Sequence, residues 1–87
     1  MNKMYTFHLD AGHGWIEVPF SEIKQLGLED KITHYSFIKD ATVYLEEDVD
    51  AQVFIAALKE KYGEKLKLSF NEQYQEKSFI RTLLPYE

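Results

Sequence analysis

Tyr5-Thr6-Phe7-His8-Leu9-Asp10-Ala11-Gly12-His13-Gly14-Trp15-Ile16-Glu17-Val18 is the stretch on which the reading of the fold turns. Its first part alternates. Tyr5, Phe7 and Leu9 fall on one side of an extended chain, and Met4, Thr6 and His8 fall on the other. Residues 10–14 then supply an aspartate and two glycines, the residue types that fill the φ > 0 positions of a tight turn. Alternation resumes beyond the turn, with Ile16 and Val18 opposed to Trp15 and Glu17. If the two strands form a hairpin, a period of two can bring Trp15 and His8 to the same face, and the loop length leaves the register open.

Working outward, Pro19 opens a short helix over residues 20–26, in which Phe20, Ile23 and Leu26 recur at helical spacing and Gly27 stops the helix. Residues 28–31 read as a polar connection, and residues 32–38, rich in β-branched and aromatic side chains, as a strand. A turn at 39–41 leads to a strand at 42–46, with Val43 and Leu45 inward and Thr42, Tyr44 and Glu46 outward. Asp48 or Asp50 is expected to cap the main helix, residues 50–62, and the acidic crowd from Glu46 to Asp50 suits a helix N-terminus. Ala51, Phe54, Ile55, Leu58 and Tyr62 form its apolar stripe, and Gly63 ends it. Val53, Ala56 and Ala57 make a weaker strip on the far side, either plain helix formers or a contact face. Residues 65–70 alternate as a strand, 71–76 read as a polar loop, and 77–84 as a last strand closed by Pro85.

The order is ββ-α-ββ-α-ββ. Short connections favour antiparallel neighbours, so the expected fold is α+β: a mostly antiparallel sheet of about five to six strands with two helices on one face. The other face would carry some of His8, Trp15, Glu17, Tyr44, Glu46 and Lys67. Exposed aromatics on a solvated sheet face point to a function there.

The 87 residues make one domain, and a composition 45% hydrophobic and 15% aromatic supports a small core. The absence of cysteine excludes disulfides and thiolate metal sites. Redox compartment is unreadable without cysteine, and a cytosolic setting fits; no apolar run is long enough to span a membrane, and Met1-Asn2-Lys3-Met4 lacks the apolar region of a secretory signal. A net charge of −5 argues against direct nucleic-acid binding, which needs a basic footprint. It suits contact with a basic site on a protein, or simply solubility.

Three patterns carry candidate chemistry. His8-x-Asp10-x-x-His13 offers imidazole and carboxylate ligands to a divalent metal, with Glu17 or Glu46 as a further ligand; the plainer reading is that Asp10 caps the turn while His8 and His13 are ordinary polar residues, and a polar ligand site is the third. Gly12-His13-Gly14 offers backbone N–H groups to an anion, but no phosphate-binding fingerprint surrounds it. The run Glu46-Glu47-Asp48-Val49-Asp50 caps a helix, meets a charged partner or mimics phosphates, and lacks the spacing of a calcium loop. Nucleophilic catalysis has little footing, since Ser21, Ser36, Ser69 and Ser78 sit in no elbow-like context. A general acid–base pair of His8 with Glu17 or Glu46 depends on the sheet bringing them together.

The segment from His8 through Trp15 to Pro19, with His34-Tyr35-Ser36 and the run from Thr42 through Tyr44 to Asp50, resembles a family of small uncharacterised proteins of bacteriophages, plasmids and proteobacterial genomes. The resemblance covers roughly positions 6 to 60. That family more often has proline at the place of Ala11 and cysteine at the place of Val49, so a shared catalytic thiol is not expected in this chain. The resemblance implies a mobile-element accessory protein acting in the bacterial cytoplasm, and fold-level association of this kind supplies a setting, not a mechanism.

These readings give three alternatives. In the first, the chain is non-enzymatic and binds a host or defence protein, or a small anionic ligand. Its face is His8, Asp10, His13, Trp15 and Tyr44, with Glu46, Glu47 and Asp48 at the edge. Trp15 and Tyr44 would anchor the contact, so Trp15→Ala is expected to abolish binding and leave the fold intact. In the second, His8, Asp10 and His13 hold a divalent metal in a binding module or a small metal-dependent hydrolase. In the third, the chain is a homo-oligomer, such as a homodimer, built on the aromatic face, on the strip Val53, Ala56 and Ala57, or on an edge strand at 77–84.

Overall fold

The computed structural model describes residues 2–87. Its elements run β1 (Asn2–Leu9), β2 (Gly14–Pro19), α1 (Phe20–Gln25), β3 (Phe37–Lys39), β4 (Thr42–Glu46), α2 (Asp50–Tyr62), β5 (Lys67–Tyr74) and β6 (Leu84–Pro85), with 3-10 turns at Gly63–Lys65 and Phe79–Thr82. The strands form one sheet in the order β5-β1-β2-β4-β3-β6. Every neighbouring pair is antiparallel except β1 with β5, which run parallel. The α+β architecture expected from the sequence, with a mostly antiparallel sheet and two helices, is the one observed.

The opening hairpin closes when the Asp10 N–H donates to the His13 carbonyl at 2.9 Å. It pairs His8 with Trp15 and Thr6 with Glu17, so these side chains share a face. The turn glycines do a different job from the one expected. Positive φ occurs at Gly27 and Gly63, the two helix stops, and not at Gly12 or Gly14. At Gly14 the constraint is space, because a Cβ there would lie 2.7 Å from the Phe7 ring. At Gly12 a Cβ would stand 3.0 Å from the Arg81 guanidinium.

The two faces of the sheet are closed differently. On one face Tyr5, Ile16, Val18, Val43 and Leu45 pack under Ile23 of α1 and Ala51, Phe54 and Leu58 of α2. The stripe read from the sequence is the buried one, and Phe54, Ile23 and Leu58 are fully enclosed. Val53 and Ala57 also pack partly against this core, which leaves Ala56 as the exposed member of the weaker strip. Lys3 Nζ and Tyr5 Oη both donate to Glu22 Oε1, at 2.9 and 2.7 Å, and fasten α1 to β1.

Neither Asp48 nor Asp50 caps α2, whose N-cap is Val49 and makes no side-chain cap bond. Asp50 turns inward and is wholly buried. One of its oxygens accepts from the Thr33 N–H (3.0 Å), Thr33 Oγ1 (2.7 Å) and Ser36 Oγ (2.5 Å). That knot draws residues 28–36 into turns over the helix start. Of the strand expected at 32–38, only Phe37 and Ile38 therefore pair, and β3 runs on to Lys39 in the place of the expected turn. Side chain-to-backbone bonding outcompetes the β-propensity of the segment.

The largest departure lies at the C-terminal end. The loop expected at 71–76 is mostly strand, because β5 extends along the whole of β1. The strand expected at 77–84 is instead a strap. It leaves β5 at one edge of the sheet and crosses the second face through the 3-10 turn at Phe79–Thr82. It then pairs as β6 with β3 at the opposite edge, Pro85 lying inside the pair. Residues 77–84 are thus no free edge for another copy to pair with. Ser78 sets the turn, its Oγ accepting from the Ile80 N–H at 3.2 Å. Ile80 is fully buried against Trp15 and Tyr44, which form a second small core with it.

Candidate functional site

The strap reassigns the face on which function was expected. Trp15 is 2% exposed, Tyr44 8% and His8 8%. Phe79 packs edge-on against both His8 and Tyr44, with ring centroids 5.5 and 5.7 Å apart. Trp15 and Tyr44 are therefore core residues and not open anchors. Burial, with Glu17 nearby, also pushes the Tyr44 hydroxyl pKa up. The unpartnered aromatic face in the sequence was a true signal, but its partner is the chain's own tail.

Asp10 is the clamp that holds this tail. Its Oδ1 accepts from the Gly12 and His13 N–H groups, both at 2.9 Å, in the hydrogen-bonding pattern of an Asx turn. Its Oδ2 accepts from the Ser78 N–H at 3.2 Å. Arg81 then closes a bidentate pair, Nε to Oδ2 at 2.5 Å and Nη2 to Oδ1 at 3.0 Å. The Arg81 hydrogen bonds, aided by the backbone donors, hold the Asp10 carboxyl well below the usual carboxylate range against the opposing effect of burial. The same contact raises Arg81. Asp10 is thus occupied on both oxygens. Arg81, the only arginine in the chain, also lies over the Trp15 ring at 5.5 Å.

The triad read as a metal site is not assembled. His8 Nε2 meets Glu17 Oε1 at 2.7 Å, Asp10 is bound to Arg81, and the His13 ring packs on Trp15 at 5.9 Å between centroids. Among the described residues no group of three His, Asp or Glu side chains converges to hold a metal ion. The sheet does bring His8 and Glu17 together as diagonal neighbours. The His8 ring is boxed in by Tyr44 and Phe79, which leaves Glu17 as the more open member of the pair.

What the strap leaves open is a cleft of about 500 Å³ at one end of this face. The β1–β2 turn supplies His13, β2 supplies Trp15, and the strap supplies Arg81 and Pro85. The Asp50-tied turns and β3 bring His34, Tyr35 and Phe37, the end of β4 brings Glu46, and the β4–α2 loop brings Asp48 and Val49. Glu46 orders that loop, accepting from the Asp48 N–H at 2.6 Å and the Val49 N–H at 2.9 Å. Tyr35 stacks on His34 at 4.6 Å and is 66% exposed, so an open aromatic surface does exist here.

Of the residues picked from the sequence, His13, Trp15, Glu46 and Asp48 reach the cleft. His8, Asp10 and Tyr44 lie outside it, and Glu47 lines a separate groove beside α2 with Phe7 and Phe70. Arg81, Tyr35 and His34 were missed. The lone arginine was the available signal for the first. The pair His34-Tyr35 was hidden by its β-like composition. No family model, curated protein or solved structure matches this chain.

The charge of the cleft follows from the clamp. Arg81 and Asp10 neutralise one another, so among the described residues the lining charges left without an ionic partner are the carboxylates of Glu46 and Asp48. Aromatic surface beside carboxylates is chemistry for a cation, since both ring faces and carboxylates attract positive charge.

Proposed function

We propose that the protein is a non-enzymatic binding module whose cleft takes a basic side chain, arginine or lysine, from a partner protein. The observation that carries this reading is the cleft itself: Tyr35, His34 and Phe37 surround an opening whose unneutralised charges are Glu46 and Asp48. The acidic balance of the whole chain, −5, would steer a basic partner toward it. The resemblance to phage and plasmid proteins supports an accessory role, with a host or defence protein in the bacterial cytoplasm as the partner. A small anion is the less favoured ligand, because the guanidinium that would hold it is already paired with Asp10.

The test is an NMR titration with N-acetyl-arginine amide and, separately, with inorganic phosphate. The arginine derivative should shift the resonances of His34, Tyr35 and the Trp15 indole saturably, and Asp48→Asn should weaken the effect. Saturable shifts with phosphate at the same residues would replace the reading with an anion site. No response at this cleft to either probe would end it.

A further inference from the structure

The outer edge of β5 points to a second function of the surface, self-association. β5 is an eight-residue edge strand paired on one side only, parallel to β1. The Gln75 N–H donates to the Leu9 carbonyl at 3.0 Å, which sets the phase of the strand. Backbone groups alternate direction along a strand. The N–H and C=O of Lys67, Ser69, Asn71 and Gln73 therefore turn toward β1, and those of Leu68, Phe70, Glu72 and Tyr74 turn outward. Outward groups of this kind are a template for another strand. The far edge of the sheet lacks this capacity, because β6 is only two residues long and contains Pro85. β5 has no proline, and its two charges, Lys67 and Glu72, cancel in a chain of net charge −5.

We infer that a second copy of this chain docks on β5 edge to edge and antiparallel, with the two-fold axis at Asn71. The outward residues are symmetric about that position. Leu68 then faces Tyr74 of the other copy and Phe70 faces Glu72, each pair exchanging two hydrogen bonds. No outward group is left over, and no charge stands directly opposite a like charge within the strand. The two Phe70 rings become diagonal neighbours across the axis, as do the two Glu72 carboxylates, and each Phe70 is already packed on its own Phe7 at 6.3 Å between ring centroids. The same helix-side surface carries the solvent exposure that a partner would cover, since Phe70 is 38% and Tyr74 66% exposed. At roughly 200 Å² per aromatic side chain, that amounts to about 200 Å² of ring surface per copy. With the strand backbones added, the contact falls at the small end of specific interfaces, under about 1,200 Å², which suits a reversible dimer. None of the residues lining the cleft lies in β5, so pairing through β5 leaves the cleft open in both copies.

Sedimentation of the full chain over a wide concentration range, with amide hydrogen exchange at both ends of that range, tests this. A monomer–dimer equilibrium is expected. Concentration-dependent protection should appear at the amides of Leu68, Phe70, Glu72 and Tyr74, while Ser69, Asn71 and Gln73 stay protected throughout. Glu72→Pro removes an outward N–H and leaves the bonds to β1 in place, as proline is tolerated on an edge strand. It should abolish the dimer with an unchanged circular dichroism spectrum. Should that variant fail to fold, Tyr74→Lys, at a more exposed site, should do the same. A chain that stays monomeric at the highest concentration overturns the proposal. So does a dimer that survives in the folded variant, or one whose protected amides lie elsewhere.

Discussion

The two faces of the sheet are covered by unlike devices. The helix face is closed by periodic apolar side chains, with Phe54, Leu58 and Ile23 pressed onto Val18, Val43 and Leu45. The strap face is closed by one short segment that contributes Ile80 to a cluster of three and depends on a polar clamp at Asp10. Hydrophobic packing is non-directional and spread over many atoms. A clamp is directional and concentrated in a few groups. The helix face should therefore carry the global stability of the molecule, and the strap face should open locally, at lower free energy.

Breaking the helix face should have the largest effect. Phe54→Ala is expected to cost about 3–5 kcal/mol, as for buried phenylalanines generally. Against the ~5–15 kcal/mol available to a whole domain, thermal unfolding followed by circular dichroism should show a large fall in midpoint or no cooperative transition. Trp15→Ala comes next. It removes the centre of the smaller core and should cost about 3 kcal/mol, measured by urea denaturation. This replaces the expectation that Trp15 is dispensable to the fold. Unchanged stability in that variant would show that the strap face contributes no core.

The clamp separates the two faces by pH. The folded Asp10 carboxyl lies below its ordinary range. Its contribution is thus full above the unfolded carboxyl pKa, about 4, and fades as the pH falls below that. Emission of the single tryptophan should shift to the red under acid while the helix signal persists. Asp10→Asn should show the shifted emission already at neutral pH and lose that acid step. Loss of helix and tryptophan signals together in acid would mean that the strap does not open on its own. The smallest effect is expected at His8–Glu17. Glu17 is substantially exposed, so Glu17→Gln should cost less than about 1 kcal/mol, read by the same urea denaturation.

The elements legible in the sequence were those whose signal is local. The β1–β2 hairpin, β4 and α2 show period-two or helical patterning over enough residues to be read without tertiary knowledge. Residues 32–38 and 77–84 were misread because composition favours strand in both. In each case a buried carboxylate holds the backbone otherwise, Asp50 in the first and Asp10 in the second. Those bonds join positions 17 to 71 residues apart, beyond the reach of any local pattern. The candidate site suffered in the same way. His13, Trp15, Glu46 and Asp48 were within reach because they flank readable turns, whereas Arg81 and Tyr35 come to the cleft only through the strap and the Asp50 knot.

By itself, then, the sequence determined the α+β class, the stripe of α2 that is buried, the two glycine helix stops and a sheet face that needed a cover. These follow from periodicity and backbone sterics, which act over a few residues. The tertiary structure alone decided what that cover is, that both oxygens of Asp10 are taken up in clamping a tail, and that two carboxylates of the cleft have no ionic partner among the described residues. Each of these depends on which distant groups meet across the sheet, and an ion pair or a cavity has no existence until the chain brings its parts together.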